Sequence, residues 1–162
     1  MKLTPRNKEV FIVLHNLRSV YNVGSIFRTA DCLDVSAILL TGLSPLPVDR
    51  FGRWRKDFAK TALGAERTVA WKHFPRISQA LRFLKSRQTF IVALEQTANA
   101  GDYRKIKPRY PAAFIFGNEV LGIPRAVLKQ CDAVAEIVTR GLKESFNVSV
   151  AAGIALARIL NR

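Results

Sequence analysis

Cysteine and histidine are scarce in this sequence. Only two cysteines, Cys32 and Cys131, occur in 162 residues, and they lack the spacing of a CxxC pair. This excludes the disulfide framework of a small secreted protein, and we expect both cysteines to be small core residues. The two histidines, His15 and His73, lie far apart in the sequence, without clustered carboxylates or thiols. The sequence therefore predicts no metal site.

Long apolar runs and acidic residues are also few. No run reaches the roughly 20 apolar residues of a membrane-spanning helix, and the first ten residues lack the apolar stretch of a signal peptide. We therefore expect a cytoplasmic protein. The 12 acidic residues stand against 26 lysines and arginines, which leaves a formal net charge of +14. A positive charge of this size favours a polyanionic partner, and RNA or DNA is a better candidate than an anionic membrane.

Residues 1–162 are predicted to form a single α/β domain, with residues 1–9 flexible, because 49% hydrophobic residues suffice for a full core. Short apolar runs predict buried strands at residues 10–14, 36–41, 89–94, 112–116 and 133–138. Helical spacing predicts helices at residues 24–33, 77–84, 124–130 and 146–160. The alternation is typical of a parallel sheet flanked by helices. The last helix is apolar on most of its surface, so we expect the sheet or a second subunit to cover it.

Two segments are predicted to be loops. Residues 42–60 contain the basic and aromatic cluster Arg50-Phe51-Gly52-Arg53-Trp54-Arg55-Lys56. This composition suits phosphate contact and stacking on an unpaired base, but equally a solvated loop with one aromatic anchor. Residues 95–111 hold a basic run and two prolines, and they are predicted to be a lid or a surface connection.

Three short motifs, each beside a predicted strand and leading into a predicted helix, indicate a ligand site. In chain order they are Asn22-Val23-Gly24-Ser25-Ile26-Phe27-Arg28-Thr29-Ala30, Gly117-Asn118-Glu119, and Glu144-Ser145-Phe146-Asn147-Val148-Ser149. Three such loops can converge at one edge of a parallel sheet, where α/β proteins bind ligands. The sequence has neither a GxGxxG fingerprint nor a P-loop lysine pattern, which argues against an unrelated nucleotide-binding protein.

These motifs resemble, in the same order, the three motifs of the SpoU/TrmH family of RNA methyltransferases, within the SPOUT superfamily, over residues 10–160. The resemblance implies a parallel sheet flanked by helices with a C-terminal deep trefoil knot. It also implies S-adenosylmethionine as cofactor, a homodimer, and methylation of a ribose 2′-oxygen in RNA. We expect tRNA rather than rRNA, because there is no room for a separate RNA-binding domain before residue 10. An rRNA methyltransferase and a catalytically inactive knotted RNA-binding protein are the alternatives.

The resemblance also implies roles for individual residues. The residues expected to contact the cofactor are Leu94, Glu95, Gly117, Ile137, Ser145 and Phe146. Those expected to face the methyl-transfer centre are Asn22, Arg28, Glu119 and Asn147. The residues expected to hold RNA by charge are Arg50, Arg53, Arg55 and Lys56. The sequence departs from the family at residues 136–141, where Ile-Pro-Met is frequent, and at Phe146, where leucine is usual.

Some of these roles have alternatives. A ribose hydroxyl must lose its proton as it attacks, and no histidine or cysteine lies in the three motifs. The family proposal makes the arginine at the position of Arg28 the base, yet a guanidinium can equally grip a phosphate and stabilise the alkoxide. Glu119 and Asn147 could simply stabilise helix starts. Glu95 could contact the cofactor or pair with a lysine.

Overall fold

The computed structural model describes residues 8–162, and its frame is a seven-stranded sheet. The strands are β1 (Val10–His15), β2 (Ala37–Thr41), β3 (Trp71–Phe74), β4 (Phe90–Leu94), β5 (Gly101–Asp102), β6 (Ala112–Phe116) and β7 (Ala133–Glu136). They lie in the order β3-β2-β1-β6-β4-β7-β5, and every neighbouring pair is parallel. The predicted parallel α/β sheet is thus confirmed, while the trefoil knot stays a prediction. The flexibility expected of residues 1–9 falls mainly on residues 1–7, which lie outside the described range.

Helices cover both faces of the sheet. They are α1 (Val20–Cys32), α2 (Lys56–Ala62), α3 (Ala65–Thr68), α4 (Ile77–Ser86), α5 (Arg125–Leu128) and α6 (Val148–Leu160), with a 3-10 helix at Tyr103–Lys105. Alternate residues of a strand point to opposite faces. Ile12 of β1 therefore packs in a core with residues of α1, α2, α3 and α6, whereas Phe11 packs in a second core with residues of α4 and α5. The carboxyl ends of all seven strands share one edge.

Several expectations from the sequence were wrong. The segment 42–60 is not a loop throughout, because α2 begins at Lys56, and α3 and β3 follow it without having been predicted. The segment 95–111 is structured at residues 101–105, where β5 and the 3-10 helix form. Tyr103 of that helix packs against the core. Cys32 is exposed on the surface rather than in the core, whereas Cys131 is partly buried, and burial raises the pKa of its thiol to about 11.

Helix α6 is only partly covered by its own chain. Its buried residues are Ala152, Ala155, Leu156, Ile159 and Leu160. Val150 remains 49% exposed, and the other apolar residues of the helix are half-buried. A long apolar helix with an exposed face is typical of a surface that another molecule covers.

Helix α1 begins earlier than predicted and packs closely on α2. Ser19 caps the helix by accepting a hydrogen bond from the backbone N–H of Asn22, so Asn22 lies in the first turn. A β-carbon on Gly24 would lie 2.2 Å from Thr61 Oγ1 and 2.8 Å from the carbonyl oxygen of Phe58. The glycine in the first motif therefore makes room for the backbone of α2.

Replacing Gly24 with alanine is expected to destabilise the protein. Alanine favours a helix over glycine by about 1 kcal/mol, but overpacking against a backbone carbonyl costs about 1–3 kcal/mol. The net loss should lower Tm by several degrees in a thermal unfolding experiment. The matched control is Gly153→Ala in α6, where nothing lies within 4 Å of the new β-carbon. Equal Tm values for the two variants would contradict the close packing of α1 on α2.

Candidate active site

A cavity of about 360 Å³ lies where β4, β6 and β7 end and α6 begins. Its volume falls in the range of about 300–1,000 Å³ that is usual for small-molecule sites. It is lined by all six residues expected to contact a cofactor, namely Leu94, Glu95, Gly117, Ile137, Ser145 and Phe146. The structure thus gathers into one cavity residues that are widely separated in the chain.

Other residues of the cavity were given no individual role from the sequence, although Asn118 and Val148 lie within the motifs. They are Gln96, Phe116, Asn118, Ala135, Glu136, Val148 and Ala151. Most adjoin a predicted residue in the sequence, whereas Ala151 lies further along, within α6. Gln96 also makes a hydrogen bond beside the cavity, in which its Nε2 donates to the carbonyl oxygen of Glu144 at 2.9 Å. This bond joins the loop after β4 to the third motif.

A chain of three polar side chains unites the three sequence motifs beside this cavity. Asn22 Nδ2 donates to Glu119 Oε1 at 3.2 Å, and Asn147 Nδ2 donates to Asn22 Oδ1 at 3.1 Å. Asn147 Oδ1 accepts from both the backbone N–H and the hydroxyl of Ser149, at 2.9 and 2.7 Å. Because the carboxylate end only accepts and the Ser149 end donates, the orientation of both amides is fixed. We call this set the Glu119–Asn22–Asn147 chain.

Glu119 is a carboxylate in this arrangement. Its Oε2 accepts from the backbone N–H of Arg18 at 3.1 Å. Burial raises the pKa of Glu119, but hydrogen bonds from its own backbone N–H, from those of Arg18 and Ser19, and from the Asn22 amide outweigh it. The pKa therefore lies below its ordinary value of 4.5. At neutral pH Glu119 accepts hydrogen bonds and has no proton to give.

Arg28 does not join this chain of side chains. It lies on α1 six residues after Asn22, which places it on a different side of the helix. There it lines a second cavity of about 510 Å³ between α1, α2 and α6, together with Lys60 and Gly153. Within one chain, the structure thus brings together three of the four residues expected at the methyl-transfer centre and leaves Arg28 apart.

Two glycines and Glu95 shape the loop that carries Glu119. Glu95 Oε2 accepts from the backbone N–H of Ile123 at 2.6 Å, and a β-carbon on Gly122 would lie 2.5 Å from that oxygen. A β-carbon on Gly117 would lie 2.6 Å from the carbonyl carbon of Gly122. Glu95 therefore holds the loop through its backbone, a role that the sequence did not suggest. Gly117 allows the loop to fold back on itself.

Two of the four predicted RNA contacts are engaged in ion pairs. Arg53 pairs with Asp49 at 2.9 Å, and Arg55 pairs with Asp57 at 2.6 Å. The backbone N–H of Arg53 is the main cause that lowers the pKa of Asp49, and the Arg55 side chain is the main cause for Asp57. The acidic partners partly neutralise these two arginines, which leaves Arg50 and Lys56 as the stronger candidates for contact with a polyanion.

Phe51 forms an exposed aromatic surface between two cations. The guanidinium carbons of Arg50 and Arg53 lie 4.7 and 5.0 Å from the centre of its ring. The ring is 66% exposed, so Phe51 does not anchor the loop to the core. An exposed ring held by guanidinium groups is suited to stacking on a nucleic-acid base.

The structure offers no metal-binding cluster within residues 8–162. No group of three or more His, Cys, Asp or Glu side chains in this range could hold a metal ion. Helices in the same range are all too short or too polar to cross a membrane.

Comparisons with known proteins agree with this site. Residues 9–157 match the SpoU rRNA Methylase family. The chain is 30% identical over 157 residues to the tRNA (guanosine(18)-2′-O)-methyltransferase of Thermus thermophilus, covering 95% of this chain and 75% of that enzyme. It is 30% identical over 148 residues to the 23S rRNA (guanosine-2′-O-)-methyltransferase RlmB of Neisseria meningitidis, covering 91% of this chain and 56% of that enzyme.

A solved structure gives the same result. The AdoMet-bound rRNA methyltransferase from Sinorhizobium meliloti superposes with a TM-score of 0.85 at 26% identity, covering 97% of this chain and 57% of that one. This chain therefore spans little more than half the length of that enzyme and of the Neisseria enzyme. With a family match over nearly all its residues and the three motifs joined at one sheet edge, the chain belongs to the SpoU/TrmH methyltransferase family.

Proposed function

We propose that this chain transfers a methyl group from S-adenosylmethionine to the 2′-oxygen of a ribose in RNA. The observation that carries the proposal is the convergence of three motifs at one sheet edge. There the Glu119–Asn22–Asn147 chain stands beside a cavity lined by all six residues expected to contact the cofactor. Membership of the SpoU/TrmH family supports the same reaction.

The cavity lining fits S-adenosylmethionine chemically. Leu94, Phe116 and Ile137 offer apolar walls suited to a planar base, and the loops at residues 117–119 and 145–147 supply polar groups. The carboxylates of Glu95 and Glu136 suit a positively charged ligand. When bound, the cofactor supplies a methyl carbon made electrophilic by a sulfonium. Leu94, Glu95, Gly117, Ile137, Ser145 and Phe146 would hold it.

The role proposed for the polar side chains of the site is to hold and orient the ribose. The Glu119–Asn22–Asn147 chain uses one amide hydrogen of each asparagine, so each keeps a second N–H that can donate to a hydroxyl oxygen. Fixing that oxygen lowers the entropic cost of the attack. Glu119 has both oxygens occupied by Asn22 and Arg18, and its contribution is to orient Asn22.

Arg28, the fourth residue expected at the methyl-transfer centre, would come from a second copy of the chain. It lines the cavity between α1, α2 and α6 rather than the one beside Glu119. The half-exposed apolar face of α6 also needs a partner to cover it. A homodimer that brings Arg28 to the partner's site satisfies both observations. There its guanidinium would grip a phosphate or stabilise the alkoxide.

The RNA surface would be the loop between β2 and α2. Arg50 and Lys56 are exposed cations, and Phe51 offers a stacking face, which together suit an unpaired nucleotide. We propose tRNA as the substrate to test first and rRNA as the second. A cytoplasmic location remains our expectation for either substrate.

Arg50→Ala is expected to weaken RNA binding several-fold and to reduce the slope of log affinity against log salt by about 0.7, the value for one single-strand phosphate contact. Fluorescence anisotropy with tRNA over a salt series measures both quantities. The control is Arg104→Ala, because Asp102 pairs with Arg104 at 2.6 Å. That arginine also lowers the pKa of Asp102 to about 2. Equal losses for the two variants would show that only total charge matters.

The function itself is tested with a labelled methyl donor and separate tRNA and rRNA substrates. Transfer to a ribose 2′-oxygen, mapped by mass spectrometry, is the expected result. Calorimetry with S-adenosylmethionine accompanies it. A folded protein that fails to bind the donor would refute the enzyme, and donor binding without transfer to either RNA would favour the inactive RNA-binding alternative.

A further inference from the structure

Asn16 lies in the loop after β1 and contacts the two neighbouring loops, which follow β2 and β6. It follows β1, which lies between β2 and β6 in the sheet. On the β2 side, Asn16 Oδ1 accepts from the backbone N–H of Leu43 at 2.9 Å. On the β6 side, its carbonyl oxygen accepts from Asn118 Nδ2 at 2.7 Å. We call residues 42–55, between β2 and α2, the RNA-facing loop. Asn16 therefore joins the start of the RNA-facing loop to the loop that carries Glu119.

The hydrogen bonds around Asn16 fix the tautomer of His15. Because Asn16 Oδ1 accepts from Leu43, its Nδ2 is the donor that lies 3.2 Å from His15 Nε2. That nitrogen must therefore be unprotonated, and the proton of the neutral ring lies on Nδ1. His15 Nδ1 donates to Thr41 Oγ1 at 2.9 Å, and this hydroxyl donates to the carbonyl oxygen of Leu14 at 3.3 Å. Donors and acceptors are therefore matched along the series from Leu43 to Leu14.

The backbone is shaped around this contact. Asn16 has a φ of +54°, and Gly42 has a φ of +63°. A β-carbon on Gly42 would lie 2.1 Å from Asn16 Oδ1. His15 is only 7% exposed, and burial lowers its pKa from the ordinary 6.5, which favours the neutral ring. Both loops thus contact Asn16, whose positive φ is held in turn by its contact with the neutral His15 ring.

We propose that His15 and Asn16 are positioning residues that keep the RNA-facing loop in register with the Glu119–Asn22–Asn147 chain. This inference rests on the proposed methyl transfer. An RNA gripped by Arg50 and Phe51 reaches the transfer centre correctly only if the two loops keep a fixed relation. The loss of the Asn16 side chain should therefore lower kcat. It should leave the cofactor cavity intact, because Asn16 does not line the cavity and Asn118 is bound by the backbone carbonyl oxygen of Asn16.

Nitrogen NMR of the two histidines tests the network without any activity assay. His15 is expected to carry its proton on Nδ1. His73 is the internal control, because its Nε2 lies 3.0 Å from the carbonyl oxygen of Gly42 and must donate to it. The two rings should thus show opposite tautomers in the neutral form. Finding His15 protonated on Nε2 would overturn the inference.

Asn16→Gly tests the coupling to catalysis. Glycine tolerates the positive φ, so this change removes the side chain without adding strain. We expect kcat to fall about ten-fold or more, with unchanged affinity for S-adenosylmethionine. Asn161→Gly is the matched control, because Asn161 has the same φ of +54° at the end of α6. Equal kcat values for the two variants would overturn the inference. An inactive wild-type protein would instead refute the proposed function, and the NMR arm separates the two failures.

Asn16→Asp tests the contact between Asn16 and His15 by spectroscopy, and the pH profile of kcat then tests its coupling to the reaction. The carboxylate would replace the amide donor that faces His15 Nε2, so that nitrogen should gain a proton and the pKa of His15 should rise. NMR titration measures the shift, and the pH profile of kcat should move with it. A pKa of His15 that is unchanged in this variant would overturn the inference.

Discussion

Replacing Glu119 with glutamine is expected to lower kcat by about 100-fold or more, with affinity for S-adenosylmethionine within a few-fold of the wild type. Glutamine offers one acceptor oxygen where the carboxylate offers two, so its NH₂ group must face either Asn22 Nδ2 or the N–H of Arg18. Asn22 cannot turn its amide over, because its Oδ1 already accepts from Asn147. The mismatch therefore disturbs the whole chain of side chains.

Single-turnover methyl transfer and calorimetry measure the two quantities separately. Glu66→Gln is the matched control, because Glu66 likewise accepts a backbone N–H, from Gly64 at 3.0 Å. It lies in α3, away from both loops of the site. We expect this control to change stability and to leave kcat near the wild-type value. A Glu119→Gln enzyme that keeps its kcat would show that the reaction does not depend on the orientation of Asn22 by this carboxylate.

Mixing Arg28→Ala chains with Glu119→Gln chains is expected to restore about a quarter of wild-type activity from two nearly inactive proteins. Random exchange of subunits makes half of the dimers mixed. If Arg28 serves the partner's site, each mixed dimer holds one site with both residues intact. The expectation follows from the position of Arg28, which lines a different cavity from Glu119 within one chain.

The control for this experiment mixes Glu119→Gln with Asn147→Ala. These residues belong to the same hydrogen-bonded chain within one protomer, linked through Asn22. A mixed dimer then has one defect in each site, so no activity should return. No recovery in the Arg28 mixture would place Arg28 in the site of its own chain or outside the reaction. Recovery in the control would contradict the placing of Glu119 and Asn147 in one site.

The sequence predicted the central strands well, because a strand buried on both faces is a continuous apolar run. Strand β6 was predicted with its observed ends, and β1 and β2 within one residue. The elements that were missed are short or near the edge of the sheet. Strand β3 is only partly buried, and β5 has two residues, so neither has a strong pattern. Their formation depends on neighbours that the local sequence does not reveal.

The candidate site was predictable in its residues and not in its contacts. The motifs placed Asn22, Glu119 and Asn147 near one another, because parallel strands end at a common edge. No local pattern indicates that Gly24 makes room for a carbonyl of α2, or that Glu95 holds the backbone of Ile123. These are tertiary contacts, and in the second case the glutamate's partner is a backbone group.

The Glu119–Asn22–Asn147 chain has a consequence for biosynthesis. Asn22 emerges from the ribosome 97 residues before Glu119 and 125 residues before Asn147. Contacts between such distant segments form late in folding. A nascent or truncated chain that lacks α6 would have most of its sheet and no closed set of amides. Catalytic competence would thus be withheld from a growing chain until Asn147 and α6 have been made.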